Sequence, residues 1–270
     1  MFLIWFIKIG YLTKLKIHCL YMRKLLFVKL FFVVALFATS CKTAYQPQSV
    51  QYKDYRITQK QPASNELNAL LKPYSDSVNK NMNDVIAVAG MALEKRQPEG
   101  TLNNVLADAM LVMAKQKYQT SIDAAFLNFG GIRLPSIAAG NITRGKVYEM
   151  APFDNIIVLQ KINGKVLQQF LNLVAGRGGW PCAGISFQIQ NKQAVNIVIG
   201  GMPMEEGKDY MIALLDYVAN GGDDCDMLRS IPQQNNGYLF RDAVLQYFST
   251  FQQQGKQINA SIEKRVSNAE

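Results

Sequence analysis

The chain has 270 residues, 49% of them hydrophobic and 18% charged, with 29 basic against 20 acidic side chains and a net charge of +9. That length holds one large domain or two small ones. With 19 glycines, nine prolines and four cysteines it is neither collagen-like, nor compositionally disordered, nor a disulfide-dense mini-protein, and its single histidine, His18, excludes a Ser/His/Asp or Cys/His centre elsewhere in the chain.

Residues 1–40 carry no Asp or Glu and six basic residues: Lys8, Lys14, Lys16, Arg23, Lys24 and Lys29. Residues 25–38 are apolar apart from Lys29, and Phe37-Ala38-Thr39-Ser40 leads into Cys41. A basic start, a short apolar run and small residues before a cut form the pattern of a secretory signal peptide. The run is short for a bilayer span of about 20 residues, although an uncleaved anchor helix is the alternative. A cysteine at that point resembles a bacterial lipoprotein cleavage site. Cys41 is therefore the expected lipidation site, anchoring the chain to a bacterial membrane on the periplasmic or outer face. Met22-Arg23-Lys24 is a second possible start. Without residues 1–40, 23 basic residues face 20 acidic ones, about +3, and the case for a nucleic-acid partner lapses. Cys182 and Cys225 remain, and two thiols can pair in an oxidising compartment, but spacing does not say whether they meet.

Residues 41–64 read as the lipidated cysteine followed by a polar tether. Residues 65–270 read as one α+β, mixed-sheet domain. Helical spacing covers 67–81, and 85–93 reads as a strand. A second helix covers 102–117, through Leu102, Val105, Leu106, Ala109, Met110 and Met113. Short strands follow at 124–128 and 155–161. Asn163-Gly164 reads as a turn before a helix at 166–174. Strands are expected at 185–190, 195–199 and 210–217, a helix at 240–251 and a closing strand at 258–266.

No phosphate-cradling loop ending in Gly-Lys-Ser/Thr is present. Asp223, Asp224 and Asp226 lack the glycine and terminal glutamate of an EF-hand. Two glycine-rich loops, each after a strand, remain. In Asn128-Phe129-Gly130-Gly131-Ile132-Arg133 the glycines allow close backbone approach to a ligand, and the arginine offers a fork for phosphate or ribose oxygens. In Tyr217-Val218-Ala219-Asn220-Gly221-Gly222-Asp223 an aromatic and a carboxylate lie six positions apart. Singly, each loop is also compatible with an ordinary turn.

Together with Glu99-Gly100-Thr101-Leu102-Asn103-Asn104 through Met110, and with Pro152-Phe153-Asp154-Asn155, the loops stand in an order that resembles the C-terminal, substrate-binding domain of the 5′-nucleotidases, over about 85–266. The resemblance implies that domain's α+β, mixed-sheet fold and a nucleoside or nucleotide ligand. It implies substrate contacts from Arg96, from Asn128, Gly130, Gly131 and Arg133 of the first loop, and from Asp223, which would hold the ribose hydroxyls. Tyr217 would stack on the base where the family usually has Phe. Trp180, in Gly179-Trp180-Pro181-Cys182, is the candidate for the second stacking aromatic, with Cys182 as the other possible occupant of that position.

The family's two-metal site and catalytic His–Asp pair lie in a separate N-terminal metallophosphatase domain. Residues 42–84 are too few for one. The resemblance therefore implies no catalytic residue and no metal or other cofactor in this chain. It implies the recognition half of a split enzyme that meets a metallophosphatase in trans. The alternative is a stand-alone nucleoside-binding lipoprotein.

Overall fold

The computed structural model describes residues 64–269 and isolated positions 22, 24, 29 and 30. The signal-peptide, lipidation and tether readings lie outside the described residues, apart from Ser64 and those isolated positions. The chain divides into units 1–62 and 63–270, and every element below belongs to the second.

Helix α1, Asn65–Met82, starts where the Ser64 hydroxyl accepts from the Leu67 N–H, and it buries none of its residues. The expected strand at 85–93 divides into β1, Val85–Ala89, and β2, Leu93–Glu94. The break is at Gly90, whose N–H donates to the Ile258 carbonyl, and a side chain there would run into Asn259. Helix α2, Thr101–Tyr118, buries Leu102, Leu106, Met110 and Met113. Strand β3, Ala124–Phe126, is fully buried, and a 3₁₀ turn at Phe129–Gly131 ends the strand earlier than expected. Then come β4, Ser136–Ile137, β5, Gly140–Thr143, and α3, Arg144–Met150, capped by the Thr143 hydroxyl.

Strand β6, Ile156–Asn163, runs directly into α4, Gly164–Gly176. Asn163-Gly164 is a helix start rather than a free turn: the Asn163 side chain accepts from the Lys165 N–H, and a Cβ on Gly164 would collide with the Glu205 carbonyl. Strands β7, Cys182–Ala183, β8, Ile185–Gln190, β9, Gln193–Ile199, and β10, Met202–Pro203, precede β11, Asp209–Leu215. One helical turn, α5, Asp216–Ala219, and two 3₁₀ turns, Gly222–Asp224 and Asp226–Leu228, follow. Strand β12, Gln233–Leu239, feeds α6, Phe240–Gln253. The closing strand β13 is only Val266–Asn268, and Ile258 contributes one bridge to Ala89.

The central sheet has the order β12-β6-β11-β3-β7. Strands β11 and β3 are parallel neighbours, pairing Ile212 with Ala124, and the other pairs are antiparallel. A second sheet, β10-β9-β8-β13, also mixes directions. The architecture is therefore α+β with mixed sheets. The core lies around the central sheet, where Phe126, Phe170, Leu106, Met110 and Phe248 are buried.

This topology fixes where a site can form. The carboxyl ends of the parallel β3 and β11 leave the sheet at one edge. Strand β6 runs antiparallel to β11, so its start, and the 152–155 segment before it, lie at that same edge. Strand β12 runs antiparallel to β6 and pairs Leu239 with Ile156, so the start of α6 lies there too. Ligands in open sheets collect outside such carboxyl ends.

Gln160, fully buried in β6, braces the chain beyond this edge. Its Nε2 donates to the carbonyls of Leu228, at 3.0 Å, and Ile231, at 2.9 Å. Gln160→Leu leaves both carbonyls without that donor. It is expected to lower unfolding stability by about 1–3 kcal/mol, read from urea denaturation.

Candidate functional site

Three loops meet at this edge around a cavity of about 400 Å³, lined by Asn128, Gly130, Gly131, Arg133, Phe153, Asn155, Tyr217 and Asp223. Six of the eight residues expected to touch a ligand are among them.

Asp223 stands at the centre. Its backbone is left-handed, φ 53° and ψ 44°, a region that Asp enters more readily than most side chains. One carboxylate oxygen accepts from Asn128 Nδ2 at 2.8 Å, and the other accepts from the Tyr217 hydroxyl at 3.2 Å. Arg177, at the end of α4, lies 3.9 Å from the latter oxygen and also pairs with Asp224. One carboxylate thus ties together the loops that leave β3 and β11 and the end of α4. A carboxylate offers about four acceptor positions, so acceptor capacity remains for a ligand.

Asn128 is 7% exposed. Its Nδ2 is spent on Asp223, and its Oδ1 has no hydrogen-bond partner among the described residues. A buried amide oxygen without a donor costs free energy, and this one belongs to a residue of the cavity wall. Gly131 is required beside it, because a Cβ there would lie 2.6 Å from Asn128 Oδ1. Gly222 is required beneath the Tyr217 ring, where a Cβ would lie 2.6 Å from two ring carbons.

Two exposed aromatics line the cavity: Tyr217, 46% exposed, and Phe153, 47% exposed. The Arg133 guanidinium lies 5.7 Å from the centre of the Phe153 ring, within cation–π range. Nearby, Lys95 donates to the Ile132 carbonyl at 2.7 Å and lies 4.0 Å above the Phe129 ring. Its ammonium pKa is lowered, first by burial and then by the Arg133 charge.

Trp180 and Arg96 are not among the lining residues. Trp180 is 2% exposed and packs edge-on against Phe170, with ring centres 5.8 Å apart. It is a core aromatic, and the second exposed aromatic at the cavity is Phe153. Cys182 is likewise buried in the core. Arg96 is exposed and paired with Glu94 at 2.9 Å. Its backbone carbonyl accepts from Asn103, which helps shape the loop before α2. Glu99, in that loop, is buried and accepts from Asn104 and from the Glu263 backbone, so it ties the start of α2 to the segment before β13.

Cys182 and Cys225 are free thiols. Burial pushes each thiol pKa up to about 12, and each S–H lies near a backbone carbonyl, of Ile185 and Asp223 respectively. Among the described residues, no group of three or more His, Cys, Asp or Glu is placed to hold a metal ion.

Residues 79–230 match the family model described as 5′-nucleotidase, C-terminal domain. Protein UshA of Escherichia coli is 32% identical over 143 residues, 51% of this chain and 26% of that protein. A 5′-nucleotidase of Vibrio vulnificus is 29% identical over 188 residues, 66% of this chain and 33% of that protein. This chain therefore spans only a quarter to a third of the length of these curated relatives. Among solved structures, the 5′-nucleotidase precursor of Thermus thermophilus superposes with a TM-score of 0.65 at 25% identity, covering 75% of this chain and 43% of that one.

Core and cavity aromatics separate experimentally. Trp180→Ala is expected to cost about 3–5 kcal/mol of unfolding stability. Tyr217→Ala, at an exposed position, is expected to change stability by less than about 1 kcal/mol in the same denaturant titration.

Proposed function

This chain belongs to the 5′-nucleotidase C-terminal domain family, and on that premise we propose that it is the nucleoside- or nucleotide-recognition half of a two-chain 5′-nucleotidase. In this reading the base lies against Tyr217 and Phe153, and the ribose hydroxyls donate to Asp223. Asn128 Oδ1 accepts from the ligand, and Arg133 meets the phosphate side. The chain is held at a bacterial membrane by lipid on Cys41 and works in nucleotide catabolism outside the cytoplasm.

The observation that carries the reading is the composition of one cavity wall. Two exposed aromatics and a carboxylate with acceptor capacity to spare line the same space, beside an asparagine whose buried amide oxygen has no partner among the described residues. An aromatic face suits a nucleobase, each stacked face being worth about 1–3 kcal/mol in single-strand binding proteins. A fixed carboxylate suits a pair of vicinal hydroxyls, because each hydroxyl can donate to it. A surface patch of no function has no need to expose two aromatics beside a buried, unmatched acceptor.

Hydrolysis of the phosphate ester is assigned to the partner. The chain's one histidine is His18, within the segment read as a signal peptide. In this reading the two metals and the His–Asp pair sit on a metallophosphatase chain in trans. This chain's own part is to bind and orient base and ribose, so that the phosphate points out of the cavity toward that partner.

The purified chain is expected to bind adenosine and AMP with saturable heat in a calorimetric titration. Tyr217→Ala is expected to weaken binding by about 1–3 kcal/mol, roughly five- to 150-fold. Asp223→Ala is expected to abolish it, by removing both the hydroxyl acceptor and the anchor of Asn128. With divalent metal added, phosphate release from AMP is expected only when a co-purified metallophosphatase is present. Metal-dependent release by the repurified chain alone would overturn the two-chain reading. Binding without any co-purifying phosphatase would favour a stand-alone nucleoside-binding protein.

A further inference from the structure

We propose that Arg241 is a positioning residue for the cavity's stacking wall, a buried guanidinium that holds the Pro152-Phe153-Asp154 loop so that Phe153 is presented to a base. The inference rests on the nucleoside reading of the cavity.

Arg241 is the second residue of α6 and is 9% exposed. One terminal nitrogen donates to the Pro152 carbonyl at 3.1 Å, and the other donates to the Asp154 carboxylate at 2.5 Å. The guanidinium lies over the Tyr148 ring, 4.3 Å from its centre. Its neighbour Phe240 donates its backbone N–H to the Asn155 carbonyl at 2.9 Å. Two consecutive residues of a helix start thus hold positions 152, 154 and 155, and the one residue they flank is Phe153.

An arginine is an expensive way to fill this space. Burying a guanidinium costs free energy unless its N–H groups are used, and Arg241 Nε is buried without a partner among the described residues. An aliphatic residue would pack the start of α6 without that cost. What the guanidinium adds is its pair of bonds to the 152–154 loop, a fork that lysine cannot reproduce. Phe153 itself is half exposed, so packing does little to fix it. A half-exposed aromatic contributes to binding in proportion to how little freedom it loses on contact with the ligand. Fixing its backbone on both sides supplies that preorganisation. The sheet register makes the contact possible, because Leu239, two residues before Arg241, pairs with Ile156, three residues after Phe153.

The test uses the full chain and two readouts. In the ligand-free protein, Arg241→Met is expected to speed backbone hydrogen exchange across 151–156 while leaving α2 unchanged. In calorimetry, the same substitution is expected to weaken adenosine about tenfold, the loss of one charge-assisted hydrogen bond's worth of order. In a Phe153→Ala background it is expected to change adenosine affinity by less than about twofold, because the residue through which it acts is gone. Asp154→Asn, at an exposed position that leaves the fold untouched, is expected to give a smaller loss of about two- to threefold, and it carries the test if Arg241→Met does not fold. Unchanged loop exchange, or an equal loss of affinity with and without Phe153, would overturn the positioning role. Absence of adenosine binding by the unsubstituted chain would overturn the nucleoside reading instead, a result that the exchange measurement cannot imitate.

Discussion

The hydrogen bond from Asn128 to the Asp223 carboxylate, 2.8 Å long, joins two loops that are 95 residues apart in sequence, and the cavity exists because they are joined. Asp223 occupies a left-handed backbone position behind Gly221 and Gly222, and its carboxylate also accepts from Tyr217 and lies close to Arg177. Each of these partners comes from a different strand or helix end. A side chain without an acceptor at 223 would free both Asn128 and Tyr217. The same bond leaves Asn128 with its second amide atom buried and unmatched, so holding the cavity together also prepares it to accept a donor from outside.

The sheet makes that bond possible. Because β3 and β11 are parallel neighbours, the chain leaves both at one edge, and the antiparallel β6 and β12 deliver the 152–155 loop and the start of α6 to the same place. Glycine then decides how closely the loops approach. Gly131 leaves room for Asn128 Oδ1, and Gly222 leaves room for the Tyr217 ring. The buried sheet supplies rigidity, the glycines supply close approach, and the functional side chains stand on loops held at both ends.

Much of this was legible in the residues. The helix at α2 announced itself through apolar spacing, and the β8–β9 pair through alternation around a polar turn. The two glycine-rich loops, each compatible singly with an ordinary turn, gained meaning from their order along the chain with the other motifs. Other features carried no local signal. Strand β12 is Gln-Gln-Asn-Asn-Gly-Tyr-Leu, a polar run that pairs only because it lies at the sheet's edge. Trp180 is a stacking candidate only through the resemblance, and its packing against Phe170 places it in the core. Phe153 stood in a recognised motif, yet nothing in sequence distinguishes an aromatic that faces solvent from one that packs inward. Arg241 reads as an ordinary charge at the start of an amphipathic helix. Its burial and its partners depend on β12 register, which is a property of the whole sheet. Arg96 is a contact candidate only through the resemblance, and a glutamate two residues earlier pairs with it.

The central claim is that one cavity reads base and ribose together, and a crystal structure of the chain grown with adenosine tests it most directly. The account predicts the base against Phe153 and Tyr217, both ribose hydroxyls within hydrogen-bond distance of Asp223, and a ligand donor on Asn128 Oδ1. Adenosine bound elsewhere, or bound here with its ribose turned away from Asp223, would contradict it.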